Sequence, residues 1–440
     1  MVRISEVFRV IHTLYLLSSF LRQRRFPDRP CKLESMFSRI YAKWMFAWET
    51  ALTTRDTNRI VRPLEWGAEW LGEWAPTGSV DRDSMTAASR RIAEESDAFF
   101  SYTTPTDFRL EDRHPQLFPT NVRPETLAQD AEWIRRAAAG EVEPVAFLRF
   151  TSPVTTPHPE NDSVNARWFP ISAEQEEKLR RLGKPRQAMI VMPQWNADAF
   201  SHNALCQIFN RFGISCLRLS KPYHDIRRPA ELERSDYACS SNIGRTISAC
   251  RQAVADIRSS IDWLEAQGYE QFGVLGTSLG SCYAFIAAAH DRRIQICAFN
   301  HASTWFGDVV WTGQSTRHIR AAFEDAGLDQ RQVRDLFRAV SPMEYMGRFA
   351  AAPGRRTLVV HARYDLTFIE EFSLDVLKNF NTWKVDYVSK VLPCGHYTTG
   401  ETPYKYMDAW FLSSFLRRAF KQLALENLKP VPHPEVGQPV

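Results

Sequence analysis

The sequence predicts an α/β protein with a mostly parallel, doubly wound sheet. After Gly140, short apolar runs alternate with helical patterns, which is typical of parallel strands covered by helices on both faces. The 440 residues are enough for one large domain with appendages. The composition, 44% hydrophobic and 24% charged, is that of a globular protein and excludes disordered, collagen-like and coiled-coil classes.

The charges are balanced along the chain. Its 55 basic and 51 acidic residues give a net charge of +4, whereas nucleic-acid-binding proteins concentrate basic charge on one surface. No apolar run approaches the ~18 residues that a membrane-spanning helix needs. Eight cysteines without a C-x-x-C pair indicate neither a disulfide scaffold nor structural zinc. We therefore expect no nucleic-acid partner and a cytoplasmic protein.

Residues 1–35 allow two interpretations. Residues 7–21 are mostly apolar, but Arg9 and His12 interrupt them and an arginine-rich run follows, unlike a signal peptide. Either the segment is an amphipathic helix that packs or lies on a surface, or translation begins at Met36. The first interpretation includes a peripheral contact with a membrane.

Residues 36–140 are expected to form a helical extension rich in tryptophan. These tryptophans either dock the layer on the main domain or form a lipid-facing or lid surface. The side chains that recur every three or four residues are Phe37, Ile40, Tyr41, Trp44, Met45 and Trp48, and then Trp66, Trp70 and Trp74.

Residues 141–425 are predicted to form the sheet domain. Its first elements are a hairpin (145–154 and 163–171), a strand (188–192), a helix (201–212), a strand (214–219), a helix (247–267), a strand (272–275), a helix (279–290) and a strand (294–299). Residues about 304–350 are polar-helical and are expected to form a lid. A strand (357–361), a helix (367–379), a strand (385–392) and a helix (404–422) follow, before a proline-rich tail (426–440) expected to be disordered.

A nucleophile elbow is predicted at Gly276-Thr277-Ser278-Leu279-Gly280. This G-x-S-x-G pattern lies directly between an apolar strand and a helix, where small neighbours permit a tight turn. Ser278 would sit at the helix N-terminus, where free N–H groups and the helix dipole favour developing negative charge. The alternative is an ordinary glycine-rich turn between a strand and a helix.

The partners that such a serine needs follow later strands. A serine hydroxyl requires a base to take its proton and an acid to orient that base. Asp365 follows strand 357–361 and His396 follows strand 385–392, which is the chain order expected on this type of sheet. Asp308 is a rival for the acid, since it also follows a strand.

The oxyanion of the reaction needs hydrogen-bond donors already in place. One predicted donor is the backbone N–H of Leu279. The other is that of Trp195, or as the next candidate that of Gln194, in the loop after strand 188–192. The substrate-binding candidates in the loops at the same edge of the sheet are Gln194, Tyr223 and His301.

These motifs resemble those of the α/β-hydrolase superfamily over residues 145–422. The superfamily resemblance implies hydrolysis of an ester, thioester or amide through an acyl-serine, without a metal or an organic cofactor. One departure is Pro193-Gln194 in place of the common His-Gly of the oxyanion loop. The chain also resembles the abhydrolase-domain-containing family eighteen, through Phe150-Thr151-Ser152-Pro153 with Ala166-Arg167, Lys221-Pro222-Tyr223 with Arg227-Arg228-Pro229, and Gly276-Thr277-Ser278-Leu279-Gly280.

The sequence thus predicts a serine hydrolase of the esterase type. Its aromatic richness, 12% of residues, favours a hydrophobic acyl group such as that of a lipid ester. One alternative is an amidase or peptidase that uses the same triad. Another is a non-catalytic binding protein on a hydrolase scaffold, because a fold does not fix a function. The sequence makes no prediction of oligomeric state.

Overall fold

The structure is a computed structural model that describes residues 32–117 and 124–427. The predicted N-terminal helix at 7–21 and the proline-rich tail from residue 428 onward lie outside these residues.

The strands of the described chain form a single sheet. In chain order they are β1 (Arg109–Arg113), β2 (Val145–Thr151), β3 (Ser163–Phe169), β4 (Gln187–Met192), β5 (Ile214–Leu219), β6 (Gln271–Thr277), β7 (Ile294–Asn300), β8 (Arg356–Ala362) and β9 (Tyr387–Leu392). Their order across the sheet is β1-β2-β3-β5-β4-β6-β7-β8-β9. The pairs from β1 to β5 are antiparallel and all pairs from β5 through β4 to β9 are parallel. The predicted mostly parallel α/β sheet is confirmed.

Helices surround this sheet. The α-helices are α1 (Lys32–Thr54), α2 (Arg82–Glu94), α3 (Ser96–Phe99), α4 (Pro124–Ala138), α5 (Pro159–Asp162), α6 (Ala173–Arg181), α7 (Asn203–Asn210), α8 (Ile243–Ala266), α9 (Leu279–His290), α10 (Phe306–Thr312), α11 (Arg317–Asp325), α12 (Gln330–Leu336), α13 (Met346–Ala350), α14 (Glu370–Thr382) and α15 (Tyr404–Asn427). Short 3₁₀ helices span Ala68–Trp74, Asp225–Arg227, Asp236–Ala238, Gln314–Thr316, Arg338–Val340, Pro342–Tyr345 and Thr398–Gly400.

Two apolar cores lie on opposite faces of the sheet. On one face, α8 and α9 pack with the helices between β7 and β8, and α8 contributes a stripe that includes Ile257 and Leu264. On the other face, α1, α7 and α15 pack together, with Met45, Phe209 and Leu412 fully buried. The N-terminal helix α1 is therefore part of the second core, because it buries its apolar side chains with those of the sheet domain.

The extension at 36–140, predicted to be helical and rich in tryptophan, also contains a strand. β1 lies within it and pairs antiparallel with β2, so the extension adds a strand to the edge of the sheet. The tryptophan spacing at 66–74 also does not form an α-helix. Gly67 and Gly72 both have positive φ (65° and 56°), and Ala68–Trp74 is a 3₁₀ helix with a kink at Gly72. Trp74 is buried against the core.

No described helix is long and apolar enough to cross a membrane. The parallel strands β4, β6, β8 and β9 bring their carboxyl ends to one edge of the sheet, and the strand before the G-x-S-x-G turn lies in the middle. This is the α/β-hydrolase fold, as predicted.

Candidate active site

Ser278 lies in a sharp turn between β6 and α9. Its backbone has φ 56° and ψ −121°, a conformation that L-residues rarely adopt and that costs on the order of 1–3 kcal/mol. The Ser278 N–H donates to the carbonyl oxygen of Asn300 (2.8 Å), and the Ser281 hydroxyl donates to that of Ser278 (2.6 Å). These bonds hold the strained residue at the start of α9.

The two glycines of the motif are required by close packing. A Cβ on Gly276 would collide with the backbone of Gly280, and a Cβ on Gly280 would collide with the carbonyl oxygens of Met192 and Pro193. The start of α9 therefore lies directly against the end of β4. This approach brings the residue after Ser278 next to the loop that begins at Pro193.

Ser278, His396 and Asp365 are connected by hydrogen bonds. His396 Nε2 lies 3.0 Å from Ser278 Oγ, and His396 Nδ1 lies 2.8 Å from Asp365 Oδ2. The other oxygen of Asp365, Oδ1, accepts the backbone N–H groups of Thr367 and Phe368, both at 2.7 Å. The ring of Phe368 stacks on that of His396 at 5.4 Å. The carboxylate and the imidazole are therefore both fixed in orientation.

The charges of this group favour an ionised aspartate beside a basic imidazole. Burial raises the pKa of Asp365, but His396 and His301 outweigh burial and hold the pKa below its usual value. Burial lowers the pKa of His396, yet Asp365 and, more weakly, Glu49 bring it above the ordinary histidine value. An imidazole of raised basicity, held against a serine hydroxyl, is suited to accept its proton.

The rival acid, Asp308, is engaged elsewhere. Its carboxylate forms a two-point ion pair with Arg334, at 2.6 and 2.9 Å, within the helices between β7 and β8. It therefore does not orient His396.

The loop after β4 is held in place by two buried side chains from the segment after β5. Lys221 Nζ donates to the carbonyl oxygen of Gln194 (2.8 Å), and His224 Nε2 accepts the backbone N–H of Asn196 (3.1 Å). Burial lowers the pKa of His224, which keeps the ring neutral and Nε2 able to accept. Trp195 lies between these two anchored residues. Leu279 is the first residue of α9, so its N–H has no acceptor within the helix.

Two cavities meet at Ser278. The inner cavity, about 50 Å³, is lined mainly by apolar side chains such as Phe285, Phe299 and Val310. The outer cavity, about 890 Å³, is lined largely by polar side chains and includes His396. Trp195 and Ser315 line both cavities, so they stand at the boundary between them. Several inner-cavity residues belong to the segment 304–350 that the sequence predicts as a lid.

The pocket residues predicted from sequence have different environments. Gln194 and His301 line the outer cavity. Tyr223 does not line either cavity, contrary to expectation. Tyr223 is only 1% exposed, and its ring packs edge-to-face against the rings of His158 and Tyr237. Tyr223 also has a positive φ (62°), a backbone conformation that the sequence does not reveal.

His301 is a second histidine that lies beside the carboxylate of Asp365. Its Nδ1 lies 3.0 Å from the same Asp365 oxygen that faces His396, but without hydrogen-bonding geometry. His301, Asp365 and His396 are the one group of side chains in residues 32–117 and 124–427 whose donor atoms, within 4.8 Å of one another, could hold a metal ion. Here those donors face each other and Ser278, so an ion would compete with the hydrogen bonds to the serine.

Glu49 of α1 is a site residue that the sequence analysis missed. It is 0% exposed, and its two carboxylate oxygens accept the backbone N–H groups of Tyr397 (2.7 Å) and Thr398 (2.9 Å). The extension thus holds the loop that carries His396. The sequence did contain a signal, because Glu49 lies on the same face of α1 as Tyr41 and Met45, both buried.

Comparisons with known proteins match parts of this chain. Residues 202–339 match the family model described as "Alpha/beta hydrolase domain containing 18". A curated protein from Escherichia coli, described as "Uncharacterized 31.7 kDa protein in traX-finO intergenic region", is 37% identical over 83 residues, which cover 18% of this chain and 28% of that protein. The chain thus matches less than a third of that relative's length.

Solved structures with a similar arrangement include two hydrolases. An acetyl xylan esterase from Paenibacillus sp. R4 is 13% identical, with 79% of this chain and 98% of that chain covered and a TM-score of 0.47. An acylaminoacyl peptidase from Pyrococcus horikoshii is 9% identical, with 64% and 43% covered and a TM-score of 0.46. The strand order of the sheet is that of the α/β-hydrolase fold. The resemblance to the family described as "Alpha/beta hydrolase domain containing 18", predicted from the motifs, is confirmed over residues 202–339.

Proposed function

We propose that the protein is a serine hydrolase that cleaves esters of short acyl groups. The observation that carries this proposal is the relay from Ser278 Oγ through His396 to Asp365, at 3.0 and 2.8 Å, located where the two cavities meet. A binding protein would not need a strained serine backbone aligned with a basic imidazole.

The proposed reaction has two halves. Ser278 Oγ attacks the ester carbonyl while His396 Nε2 takes the hydroxyl proton, and the carbonyl oxygen becomes an oxyanion bound by the N–H groups of Leu279 and Trp195. His396 then gives the proton to the departing alcohol as the C–O bond breaks. Water attacks the acyl-serine in the same way, releasing the acid and restoring the serine.

The size of the inner cavity supports a short acyl chain. A water-sized group needs roughly 10–15 Å³ by this measure, so a cavity of about 50 Å³ holds an acyl chain of roughly two to four carbons. The lining is apolar, as the sequence analysis expected of the acyl site, but the volume argues against a long lipid chain. The larger polar cavity is then the site of the alcohol.

A panel of p-nitrophenyl esters from acetate to laurate tests the proposal. We expect the highest kcat/KM at two to four carbons, and loss of hydrolysis in Ser278→Ala at unchanged melting temperature. Fastest hydrolysis of laurate would contradict the assignment of the inner cavity. A folded wild type that cleaves none of the esters would favour a binding protein.

Two further measurements separate the alternatives. If p-nitroanilides of the same acyl groups are cleaved faster than the esters, the amidase or peptidase alternative is favoured. Treatment with EDTA should leave esterase activity unchanged, because the proposed reaction uses only side chains and water. Loss of activity with EDTA would instead assign His301, Asp365 and His396 to a metal centre.

A further inference from the structure

Three arginines from distant parts of the chain converge beside the loop that carries Trp195. Arg59 follows α1, Arg234 follows β5, and Arg317 begins α11. Arg59 and Arg234 both contact Asp56 Oδ2, at 2.9 and 3.3 Å. Burial lowers the pKa of His318, and the positive charges of Arg59, Arg234 and Arg317 lower it further. We call Arg59, Arg234 and Arg317 the arginine cluster.

The arginine cluster carries more positive charge than its carboxylate partners neutralise. Arg59 and Arg234 share Asp56, and Arg234 has one further carboxylate contact, Asp236 at 3.4 Å. Arg317 donates to the backbone carbonyl oxygens of Thr53 (3.1 Å) and Gln314 (2.9 Å), which are uncharged.

Two members of the arginine cluster are removed from solvent. The side chains of Arg59 and Arg234 are only 3% and 2% exposed, whereas Arg317 is partly exposed. A bound anion would supply the counter-charge for Arg317, whose hydrogen bonds go to uncharged carbonyl oxygens.

His318 supplies a second, independent indication of a missing ligand. Its ring lies parallel to the indole of Trp195, with 5.9 Å between ring centres and 9° between planes. The residue is 6% exposed, and neither ring nitrogen has a hydrogen-bond partner within residues 32–117 and 124–427. A neutral imidazole keeps one N–H donor, and a buried donor without an acceptor is costly. An oxygen anion between the ring and the arginines would satisfy it.

The arginine cluster lies close to the reacting group. Arg234 is the member of the cluster that lines the outer cavity, together with Ser278 and His396, and Arg59, Arg317 and His318 are not lining residues of that cavity. The Arg234 guanidinium lies 5.5 Å from the centre of a Trp195 ring. Arg59 donates to the hydroxyl of Tyr397, the residue after His396, at 2.9 Å. Arg55 lines the same cavity and adds a positive charge there, and the carboxylates Asp56, Asp198 and Glu401 also line it. An anionic group bound here would belong to the part of the substrate that occupies the outer cavity.

We propose that the arginine cluster and His318 bind an anionic oxyacid group, a carboxylate or a phosphoryl group, carried by the alcohol part of the ester substrate. This inference rests on the proposed function and narrows its substrate to short acyl esters of anionic alcohols. The acyl group fills the apolar inner cavity, and the anionic alcohol fills the outer one. Guanidinium groups suit both anions because they donate paired hydrogen bonds to planar or tetrahedral oxyanions.

Matched aryl acetates test the proposal. The pair 4-acetoxybenzoate and 4-acetoxybenzamide share an acyl group and a shape but differ in charge, and 4-acetoxyphenyl phosphate presents the alternative anion. With rates normalised to alkaline hydrolysis, we expect wild type to prefer an anionic ester by about 10-fold or more in kcat/KM, mainly through KM, as one charged hydrogen-bond partner would give. Comparison of kcat/KM for 4-acetoxyphenyl phosphate and 4-acetoxybenzoate shows whether the site favours a phosphoryl group or a carboxylate. The ratio of kcat/KM for the anionic ester to that for the neutral ester should fall as the salt concentration rises, because salt screens the attraction between the anion and the arginines.

Variants of the arginine cluster should remove this preference. Arg234→Gln and Arg317→Gln are expected to bring the ratio of anionic to neutral kcat/KM close to one. Arg293→Gln is the matched control, because Arg293 is also ion-paired but lies at the amino end of β7, away from the cavities. If Arg234→Gln fails to fold, Arg55→Gln takes its place, since Arg55 is exposed and lines the outer cavity. An unchanged ratio in folded variants would overturn the proposal.

Binding to Ser278→Ala separates this proposal from the proposed function. Calorimetry with 4-hydroxybenzoate, 4-hydroxybenzamide and inorganic phosphate is expected to detect binding of an anion and not of the amide. Binding of the anion without any ester hydrolysis by wild type would refute the proposed function and leave the anion site standing. Ester hydrolysis without anion preference or anion binding would refute the anion site alone.

Discussion

Replacement of Asp365 with asparagine is expected to change which nitrogen of His396 carries a proton. Asp365 Oδ1 accepts two backbone N–H groups at 2.7 Å, from Thr367 and Phe368. The side-chain oxygen of asparagine can accept these bonds, whereas its amino group cannot. The oxygen will therefore occupy the Oδ1 position, and the amino group will face His396 Nδ1 from the position of Oδ2, 2.8 Å away.

This orientation leaves His396 unable to act as the base. Nδ1 must accept a hydrogen bond from the amide, so the ring proton moves to Nε2, the atom 3.0 Å from Ser278 Oγ. A protonated Nε2 cannot take the serine proton. In enzymes with a Ser-His-Asp triad this change lowers kcat by about 10⁴, or about 5 kcal/mol of barrier, and we expect a similar loss here.

The assay is kcat/KM as a function of pH for the best short-chain ester, together with the melting temperature. In wild type, activity requires neutral His396. Since Asp365 raises the His396 pKa, activity should disappear as pH falls through a value above the ordinary histidine pKa. Asp365→Asn should melt near the wild-type temperature because its backbone hydrogen bonds remain. A folded Asp365→Asn with kcat within about tenfold of wild type would refute the tautomer argument.

Three further predictions concern the surroundings of the site. Glu49→Gln should lower kcat by about 10-fold through loss of hydrogen bonds to the loop that carries His396. It should also move the acidic limb of the pH profile to lower pH, because Glu49 raises the pKa of His396. An acidic limb at the same pH as in the exposed control variant Glu132→Gln would contradict this prediction. Gly280→Ala should lower the melting temperature and abolish activity, since its Cβ would collide with the end of β4, whereas Gly400→Ala, with no atom within 4 Å, should melt like wild type. Burial raises the pKa of Asp408 to about 7, so the free energy of unfolding should fall as the pH rises from about 4 to 7 and this carboxyl group ionises. Asp408→Asn should therefore melt at a higher temperature than wild type at pH 8 but not at pH 5. A difference in melting temperature that is equal at both pH values would contradict this prediction.

The predictable parts of the fold are those set by local pattern. Helix α9 begins and ends where the sequence analysis places it, at Leu279 and His290, because the nucleophile turn fixes its start and the apolar strand before it is unambiguous. The strands of the sheet domain lie within three residues of the predicted bounds, since each is a short apolar run with turn residues at both ends.

The parts that could not be predicted depend on contacts between distant segments. Glu49 reaches the loop after β9, nearly 350 residues later, and its role is invisible until α1 is packed on the sheet. The arginine cluster unites three separate segments in the same way. Tyr223 lies in a loop at the correct edge of the sheet but is buried and does not face the two cavities, because the position of a loop does not fix the direction of its side chains.

The most direct measurement is mass spectrometry of the protein after reaction with a fluorophosphonate. Ser278 is 6% exposed yet lines both cavities, so a small phosphonylating reagent can reach it. The hydrogen-bonded His396 should make its oxygen far more reactive than that of any other serine. One adduct per chain, on the peptide that contains Ser278 and absent from His396→Ala, is the predicted result. A folded wild type with no adduct, or with its adduct on another residue, would contradict the assignment of Ser278 as the nucleophile.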